Sequence, residues 1–356
     1  MRSAPLGKRK GTGISQSMYW ILRWFQQSHI YGDKRGRIHI PKEYRSDVTY
    51  GPSVKALSAV LYSEGVMSND RIAAFLNAAS AERLKLSAGS IYGFCRRLSE
   101  ASVESISHLE SHMLDQEAAA TDGTTVRING RQANIRNFSV KDTVIYKAMK
   151  GKTLRELGEI DFLRKYTGTL IHDHEMALYH FGTGHGECNV HLLRYLRKNT
   201  EEAGNPWSQK MAELLIEMNR ERKKQQEEGK SSFHEERVSE YEKRYMELIQ
   251  KGCEENKNTH HKYAKNEEKA LLKRMEKYRE NHLLFLHDFT VPFDNNMSER
   301  DLRKAKNREK MAGGFRKESG NGMYCAILTG IETVKRRNMG LLENVKKLFM
   351  GTPAIF

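Results

Sequence analysis

The sequence contains one decisive stretch, Val291-Pro-Phe-Asp-Asn-Asn-Met-Ser-Glu-Arg-Asp-Leu-Arg-Lys-Ala-Lys-Asn-Arg-Glu-Lys310. Pro292 interrupts whatever structure precedes it, and the two asparagines that follow are residues that commonly accept hydrogen bonds from the first free N–H groups of a helix. Leu302 and Ala305 then recur at near-helical spacing. These signals predict a helix that begins here and carries Glu299 in its first turn.

The predicted helix and the loop after it are strongly basic. From Arg303 to Lys317 the chain has seven Lys or Arg residues and one acid, Glu309. A carboxylate at the start of such a helix suits a metal ion held against a nucleic-acid phosphate, because the metal needs hard oxygen ligands and the polyanion needs cations. The alternative is structural: Asn296 and Glu299 have the spacing of a capping box, in which Glu299 only reaches back to a backbone N–H.

Length and charge favour two or three folded units and a polyanionic partner. The chain has 356 residues, with 60 Lys and Arg against 45 Asp and Glu and a formal charge of +15. No run of about 18 apolar residues is present and the first residues lack the apolar core of a signal peptide, so we expect no membrane partner and a cytoplasmic, nucleoid-associated protein. The four cysteines contain no C-x-x-C pair, so neither a disulfide framework nor a cysteine-rich zinc module is indicated.

The N-terminal part is predicted to contain a basic arm with an unassigned segment (1–52) and a small helical domain (53–116). Three amphipathic patterns follow one another in this domain, the second with Phe75 on its apolar face. Short helices joined by polar turns, with Arg96 and Arg97 on the last, are compatible with a helix-turn-helix that lays its final helix in the major groove of DNA. A plain three-helix packing unit explains the same pattern.

From residue 121 the apolar pattern becomes strand-like. The dipeptide Asn129-Gly130 tolerates positive φ at both turn positions and therefore predicts a hairpin. Three sequential strands, a helix and a further strand predict an α/β sheet that is antiparallel first and parallel after the crossover. The predicted strands are 124–128, 133–138, 143–148 and 168–173, with a helix over 154–163.

Beyond His191 the sheet is interrupted by three helical patterns whose outer faces are dense in Lys and Glu. They predict a helical insertion (206–288) that separates a first part (117–205) and a C-terminal part (289–356) of one mixed α/β domain. In the C-terminal part, glycines around Phe315-Arg316-Lys317 predict a mobile basic loop, and two closing helices are expected over 323–337 and 340–350.

Three carboxylates, Asp122, Asp173 and Glu299, are the candidate catalytic and metal-binding residues. Asp122 precedes the first strand or sits within its start, and Asp173 ends the fourth; the two converge if these strands are neighbours. Three carboxylates at one point repel each other unless cations lie between them. Two Mg²⁺ ions roughly 3.5–4 Å apart satisfy this requirement, with Mn²⁺ as the substitute. Each aspartate also has a structural alternative, Asp122 in a turn with Gly123 and Asp173 as a helix cap.

Four motifs carry a resemblance to the transposases of the IS66 insertion-sequence family. They are Asp122-Gly-Thr-Thr-Val, Ile171-His-Asp-His-Glu-Met-Ala-Leu-Tyr179, Cys188-Asn-Val-His-Leu-Leu-Arg194 and Phe289-Thr-Val-Pro-Phe-Asp-Asn-Asn-Met-Ser-Glu-Arg-Asp-Leu-Arg303. The likeness runs in order from about residue 53 to the C-terminus, and the Asp-Asn-Asn-x-x-Glu-Arg-x-Leu-Arg block is highly specific. The resemblance implies a ribonuclease H-like DDE domain in which Asp122, Asp173 and Glu299 are the metal-binding triad and the helical bundle is inserted between the last two.

The resemblance also implies a function: metal-dependent DNA cleavage at insertion-sequence ends, followed by attack of the freed 3′-hydroxyl on target DNA. The implied partners are the element's ends, the target, accessory proteins of the same element, and a second copy of the chain, in a homodimer or larger assembly on DNA. Two departures are present, Gly123 where the family usually has Glu, and no cysteine-rich zinc module. They motivate the alternative of a catalytically inactive or truncated DNA-binding derivative, while a general nuclease of the same fold is a third hypothesis.

The remaining candidate site residues are predicted to lie near the three acids. Cys188 and His191 could suggest zinc, but two or three ligands in one turn fall short of recognised zinc-site spacing. The family resemblance implies instead that these two residues pack near the metal acids. A set of basic and amide residues is predicted to contact DNA, with a solvated helix face as the alternative. These residues are Arg194, Asn295, Asn296, Arg300, Arg303, Lys306, Lys310 and Arg316.

Overall fold

The computed structural model describes residues 31–32, 38–39, 50–64 and 67–351. The described residues divide into two compact units, one that contains those up to 101 together with 340–351, and one that contains 102–339. The predicted basic arm and most of the unassigned N-terminal segment lie outside the described residues. The predicted domain boundaries stay predictions.

The elements are numbered here in chain order. The strands are β1 (Tyr31–Gly32), β2 (Ile38–His39), β3 (Ala118–Ile128), β4 (Arg131–Ser139), β5 (Val144–Met149), β6 (Thr169–His172) and β7 (Gly184–Glu187). The helices are α1 (Pro52–Ser63), α2 (Asn69–Ala79), α3 (Ala88–Ala101), α4 (Val103–Leu114), α5 (Leu154–Leu157), α6 (Asp161–Lys165), α7 (Asn189–Ala203), α8 (Pro206–Glu227), α9 (Glu235–Lys257), α10 (Lys262–Lys277), α11 (Arg279–His287), α12 (Asn296–Ala312), α13 (Glu318–Arg336) and α14 (Leu341–Phe349).

In the first unit, α1, α2 and α3 account for the three predicted helical patterns, and α14 packs against α1 and α3. Ser68 caps α2 by accepting a hydrogen bond from the Arg71 N–H. Asn77 joins α2 to the segment before α3, because its side chain both accepts from and donates to the backbone of Leu86. The prediction for Phe75 is wrong: its side chain is 46% exposed, because the buried face of α2 is formed by Ile72 and its helical neighbours.

The second unit is built on a five-stranded sheet with the order β5-β4-β3-β6-β7. The pairs β3–β4 and β4–β5 are antiparallel and the pairs β3–β6 and β6–β7 are parallel, which confirms the predicted mixed sheet. Asn129 and Gly130 both have positive φ, as the predicted hairpin requires. Strand β7 was not predicted, because Gly184–Glu187 is short and shows no apolar alternation.

Two other sequence predictions for this unit need correction. The helix expected over 154–163 is two short helices, because α5 ends at Gly158. The third helical pattern of the predicted insertion is likewise broken between α10 and α11 at Tyr278, whose backbone leaves the helical region. Helices α7 to α11 nevertheless pack around one apolar core that includes Trp207, and this core also contains Ala120 and Ile171 of the sheet.

The loop around Phe315, predicted to be mobile, is bound to the end of β3. Phe315 is buried and donates its N–H to the Arg127 carbonyl at 2.6 Å, while its own carbonyl accepts from the Asn129 N–H at 2.7 Å. A Cβ atom on Gly314 would lie 2.2 Å from the Arg127 carbonyl oxygen, so only glycine permits this approach. The loop therefore extends the sheet instead of moving freely, and α13 and α14 follow as the two predicted closing helices.

Candidate active site

The parallel pairing of β3 with β6 brings two of the three candidate acids together. The register runs from Ala118 opposite Thr169 to Ala120 opposite Ile171, and its continuation sets Asp122 opposite Asp173. Asp122 lies within β3, which begins earlier than the sequence predicts, and exposed Asp173 follows directly after β6. The convergence expected for neighbouring strands is thus present.

The electrostatic environment of Asp122 reflects this convergence. Burial raises the pKa of the Asp122 carboxyl, and the negative charge of Asp173 raises it further. A hydrogen bond of 2.7 Å from the Gly123 N–H and the positive charges of Lys306 and Arg136 oppose the increase without cancelling it. The two carboxylates therefore form a negative site whose charge the surrounding protein only partly compensates.

Side-chain hydrogen bonds hold the first turn of α12 next to Asp122. The Asn295 side chain donates to the Thr121 carbonyl at 2.8 Å. Ser298 donates to Asn137 Oδ1 at 2.6 Å, and the same oxygen accepts the Asp122 N–H at 3.2 Å. Asn137 is also the partner of Asp122 in the β3–β4 register. The turn that carries Glu299 is thus bound to Thr121, the residue before Asp122 on β3, and to Asn137, the residue opposite Asp122 on β4.

Glu299 does not act as the partner of a capping box. No side chain caps α12 at Asn295, and the Asn296 N–H donates instead to Asp294 Oδ1 at 3.0 Å. The Glu299 carboxylate faces α7, where its Oε1 lies 3.5 Å from His191 Nδ1 and its Oε2 lies 3.8 Å from an Arg194 guanidinium nitrogen. The structural alternative from the sequence is therefore wrong, and the Glu299 side chain is directed toward the imidazole of His191 and the guanidinium of Arg194.

Cys188 and His191 lie beside this third acid. Ligand atoms of Cys188, His191 and Glu299 all lie within 4.8 Å of one another. Cys188 occupies the N-cap position of α7, and its buried sulfur accepts the Asn295 N–H at 3.2 Å. The Cys188 motif and the α12 motif, about a hundred residues apart in the chain, thus meet at this contact.

The residues predicted to contact DNA divide into one buried residue and an exposed set. Asn295 is fully buried and positions α12, as described above. On the same helix, Lys304 pairs with Glu332, and the guanidinium of Arg308 lies over the rings of Phe315 and Tyr324. The exposed members of the predicted set are Arg194, Asn296, Arg300, Arg303, Lys306, Lys310 and Arg316.

The sequence did not reveal the polar network around Glu187. Glu187, the last residue of β7, is buried and accepts hydrogen bonds from His174 at 2.6 Å, Arg274 at 2.6 Å and His282 at 3.1 Å. Burial opposes ionisation of this carboxyl, but these hydrogen bonds outweigh it and hold its pKa well below the usual range. No local signal predicts such a network, because Arg274 and His282 lie on helices far along the chain.

We expect Asn295→Ala to lower the free energy of unfolding by about 1–3 kcal/mol, because it leaves the buried Thr121 carbonyl without its donor. Asn296→Ala, at the adjacent exposed position, is the matched control and should change the stability by less than about 0.5 kcal/mol. Urea denaturation of the two variants measures the difference. Equal effects would show that Asn295 does not anchor the helix.

Among the described residues, no helix has the length and apolar character needed to cross a membrane. A comparison with curated proteins gives no match. A family model, Transposase IS66 family, matches residues 47–323. The matched range includes all three candidate acids and covers well over half of the 356 residues, so the chain belongs to the IS66 transposase family.

Proposed function

We propose that this protein is a DDE transposase that cleaves DNA at the ends of its insertion sequence and joins the freed 3′-hydroxyl groups to target DNA. Membership in a transposase family implies a DNA partner and nuclease or transferase chemistry in general. The observation that carries the finer proposal is the position of Asp122 and Asp173 at neighbouring parallel strands, beneath the helix turn that presents Glu299. A ribonuclease H-like catalytic domain is part of the same proposal.

The chemistry of the donor set fits two divalent ions. Asp122, Asp173 and Glu299 offer hard carboxylate oxygens, the ligands that Mg²⁺ prefers. The raised pKa of Asp122 indicates that its negative charge is under-compensated, and the buried Oε1 of Glu299 has no hydrogen-bond partner among the described residues. We propose that these three residues hold Mg²⁺, or Mn²⁺ in its place, which when bound supplies an activated nucleophile and charge stabilisation for the leaving oxygen.

The residues around the acids would position the DNA. Lys306 lies on the same helix as Glu299 and close enough to Asp122 to lower its pKa. Arg300, Arg303 and Lys310 project from α12 into solvent. Exposed cations beside a catalytic carboxylate bind phosphate groups and set the register of the duplex without reading its sequence. We assign α12 the role of holding the DNA backbone at the site.

The decisive experiment is a strand-transfer assay with Mg²⁺, DNA that carries the element's own ends, and a target plasmid. A DDE transposase yields both cleaved ends and joined products. A general nuclease would cut and never join. Gly123 differs from the family's usual glutamate, so an inactive DNA-binding derivative is the second candidate, and it would bind the ends without any metal-dependent cleavage.

We expect neutralising substitutions on α12 to weaken DNA binding to a similar degree for every DNA sequence. Lys306→Ala and Arg303→Ala should each reduce the slope of log K against log salt concentration by about 1, because a variant that neutralises one phosphate fewer also releases roughly one counterion fewer on binding. Titrations at several salt concentrations measure the slope. Lys251→Ala, an exposed cation on α9, is the control, and an equal reduction there would contradict a specific role for α12.

A further inference from the structure

The cluster of Cys188, His191 and Glu299 combines three kinds of metal ligand. A thiol sulfur, an imidazole nitrogen and a carboxylate oxygen lie within 4.8 Å of one another. Mg²⁺ binds oxygen and avoids thiolate, whereas Zn²⁺ binds all three donors. The chemistry of this cluster therefore differs from that of the carboxylate pair at Asp122 and Asp173.

One distance within the cluster matches the ligand spacing of a zinc site. Ligands at zinc bond lengths occupy tetrahedron corners roughly 3.3–3.6 Å apart. His191 Nδ1 and Glu299 Oε1 are 3.5 Å apart. Both atoms are buried, and neither has a hydrogen-bond partner in the part of the chain that the structure describes. Buried polar atoms without a hydrogen bond are unfavourable, and a metal cation between these two atoms would satisfy both.

The environment of Cys188 suits a metal-bound thiolate. Its sulfur lies at the N-terminus of α7 and accepts the Asn295 N–H, two features that favour negative charge on sulfur. Burial raises the pKa of the free thiol. Metal binding would therefore release the thiol proton to solvent as the S–metal bond forms.

We propose that Cys188, His191 and Glu299 bind one Zn²⁺ ion, with a fourth position left for water. Glu299 belongs both to this zinc site and to the proposed Mg²⁺ site. Zinc bound here therefore removes the third carboxylate from the Mg²⁺ site of Asp122 and Asp173 and inhibits the Mg²⁺-dependent reaction. The inhibitory consequence rests on the proposed function, whereas the binding of zinc does not. Arg194, whose guanidinium lies 3.8 Å from Glu299, must move aside, and its side chain is 59% exposed.

The test is a Co²⁺ titration of the full chain without DNA and without thiol reductant, followed by displacement with Zn²⁺. We expect one Co²⁺ per chain to give the visible absorption of a tetrahedral ion and a thiolate-to-cobalt charge-transfer band that zinc removes. Cys188→Ser should lose the charge-transfer band. Cys253→Ser, at the exposed cysteine of α9, should behave like the unmodified protein.

If Cys188→Ser does not fold, His191→Gln provides an independent test, because His191 is only half-buried and its substitution should leave the fold intact. We expect this variant to bind Co²⁺ at least about 10-fold more weakly while its circular dichroism is unchanged. His185→Gln tests the separate histidine pair of His172 and His185 and should have no effect. Absence of the charge-transfer band in the unmodified protein, unchanged affinity in His191→Gln, or loss of binding in His185→Gln would each overturn the proposed site.

A second measurement separates this inference from the proposed function. Zn²⁺ added to a Mg²⁺-dependent cleavage reaction should inhibit the unmodified protein, and His191→Gln should require at least about 10-fold more zinc for the same fractional inhibition, each protein being compared with its own rate without zinc. Equal sensitivity of the two proteins would overturn the inhibitory role. If the protein does not cleave DNA at all, the proposed function fails, and the cobalt titration still decides whether the site exists.

Discussion

Asp122→Asn and Asp173→Asn should each reduce Mg²⁺-dependent DNA cleavage by on the order of 10³-fold while the protein remains folded. The amide keeps the shape of the side chain but removes the charge that would hold a divalent ion. Cleavage of labelled DNA with the element's ends measures the loss. Glu299→Gln should show a comparable defect, because its carboxylate is the third proposed ligand.

The stability of Asp122→Asn separates a catalytic acid from a structural one. Burial and Asp173 raise the pKa of Asp122, so its charged form is disfavoured in the folded protein, and its removal should leave the free energy of unfolding unchanged or slightly higher. Asp161→Asn is a matched control in the same unit, because Asp161 pairs only with Arg164 and Lys165 of its own short helix among the described residues. If Asp122→Asn cleaves DNA as fast as Asp161→Asn does, Asp122 is not a catalytic residue.

The second large effect is expected at Glu268, in the core of the helices α7 to α11. This carboxylate is fully buried on α10, and no cation pairs with it among the described residues. Its two oxygens accept hydrogen bonds from five neutral side chains: Asn199, Asn205, Trp207, Asn256 and Thr259. Glu268→Ala would leave these donors unsatisfied, so we expect a loss of about 3–5 kcal/mol in the free energy of unfolding, measured by urea denaturation.

The same carboxylate predicts a dependence of stability on pH. Burial opposes its ionisation, but the hydrogen bonds from Asn256, Trp207, Asn205 and Asn199 outweigh burial and lower its pKa. A lowered pKa in the folded state means that its contribution to stability is complete above the unfolded pKa of about 4.3 and is lost as the pH falls through the folded pKa. Glu268→Gln should remove this part of the acid sensitivity.

Glu267 provides the matched control for both measurements. It is the preceding residue on α10, and its side chain is 53% exposed beside Lys198. Glu267→Ala should change the stability by less than about 0.5 kcal/mol and leave the pH profile unaltered. A stability loss in Glu268→Ala no larger than that of Glu267→Ala would mean that water satisfies the five donors, and the assignment of Glu268 as a structural centre would be wrong.

Local sequence signals were sufficient where one element determines its own conformation. Asn129-Gly130 predicts the hairpin because both residues tolerate positive φ. The directions of the strands follow from the hairpin and from the single crossover before β6. The start of α12 follows from Pro292 and the asparagines after it. Asp173 and Glu299 could be chosen for the same reason, since the end of a strand and the start of a helix depend on local pattern, whereas Asp122 lies within β3.

Contacts between distant segments could not be predicted in this way. Asparagine commonly caps helices, yet the side chain of Asn295 anchors α12 to Thr121. Phe315 lies among glycines, yet its backbone extends β3. The neighbours that decide these roles lie more than a hundred residues away along the chain. Local sequence patterns do not show that these residues come into contact.

By itself, therefore, the amino-acid sequence determined the hairpin, the mixed sheet, the basic helix and the identity of the three candidate acids, because turn chemistry, apolar period and residue type act within a few residues. Only the tertiary structure decided which of the three acids Cys188 and His191 meet, namely Glu299, and that Glu268 collects its donors from three separate parts of the chain. Packing of the apolar core sets those distances, and packing is a property of the whole unit.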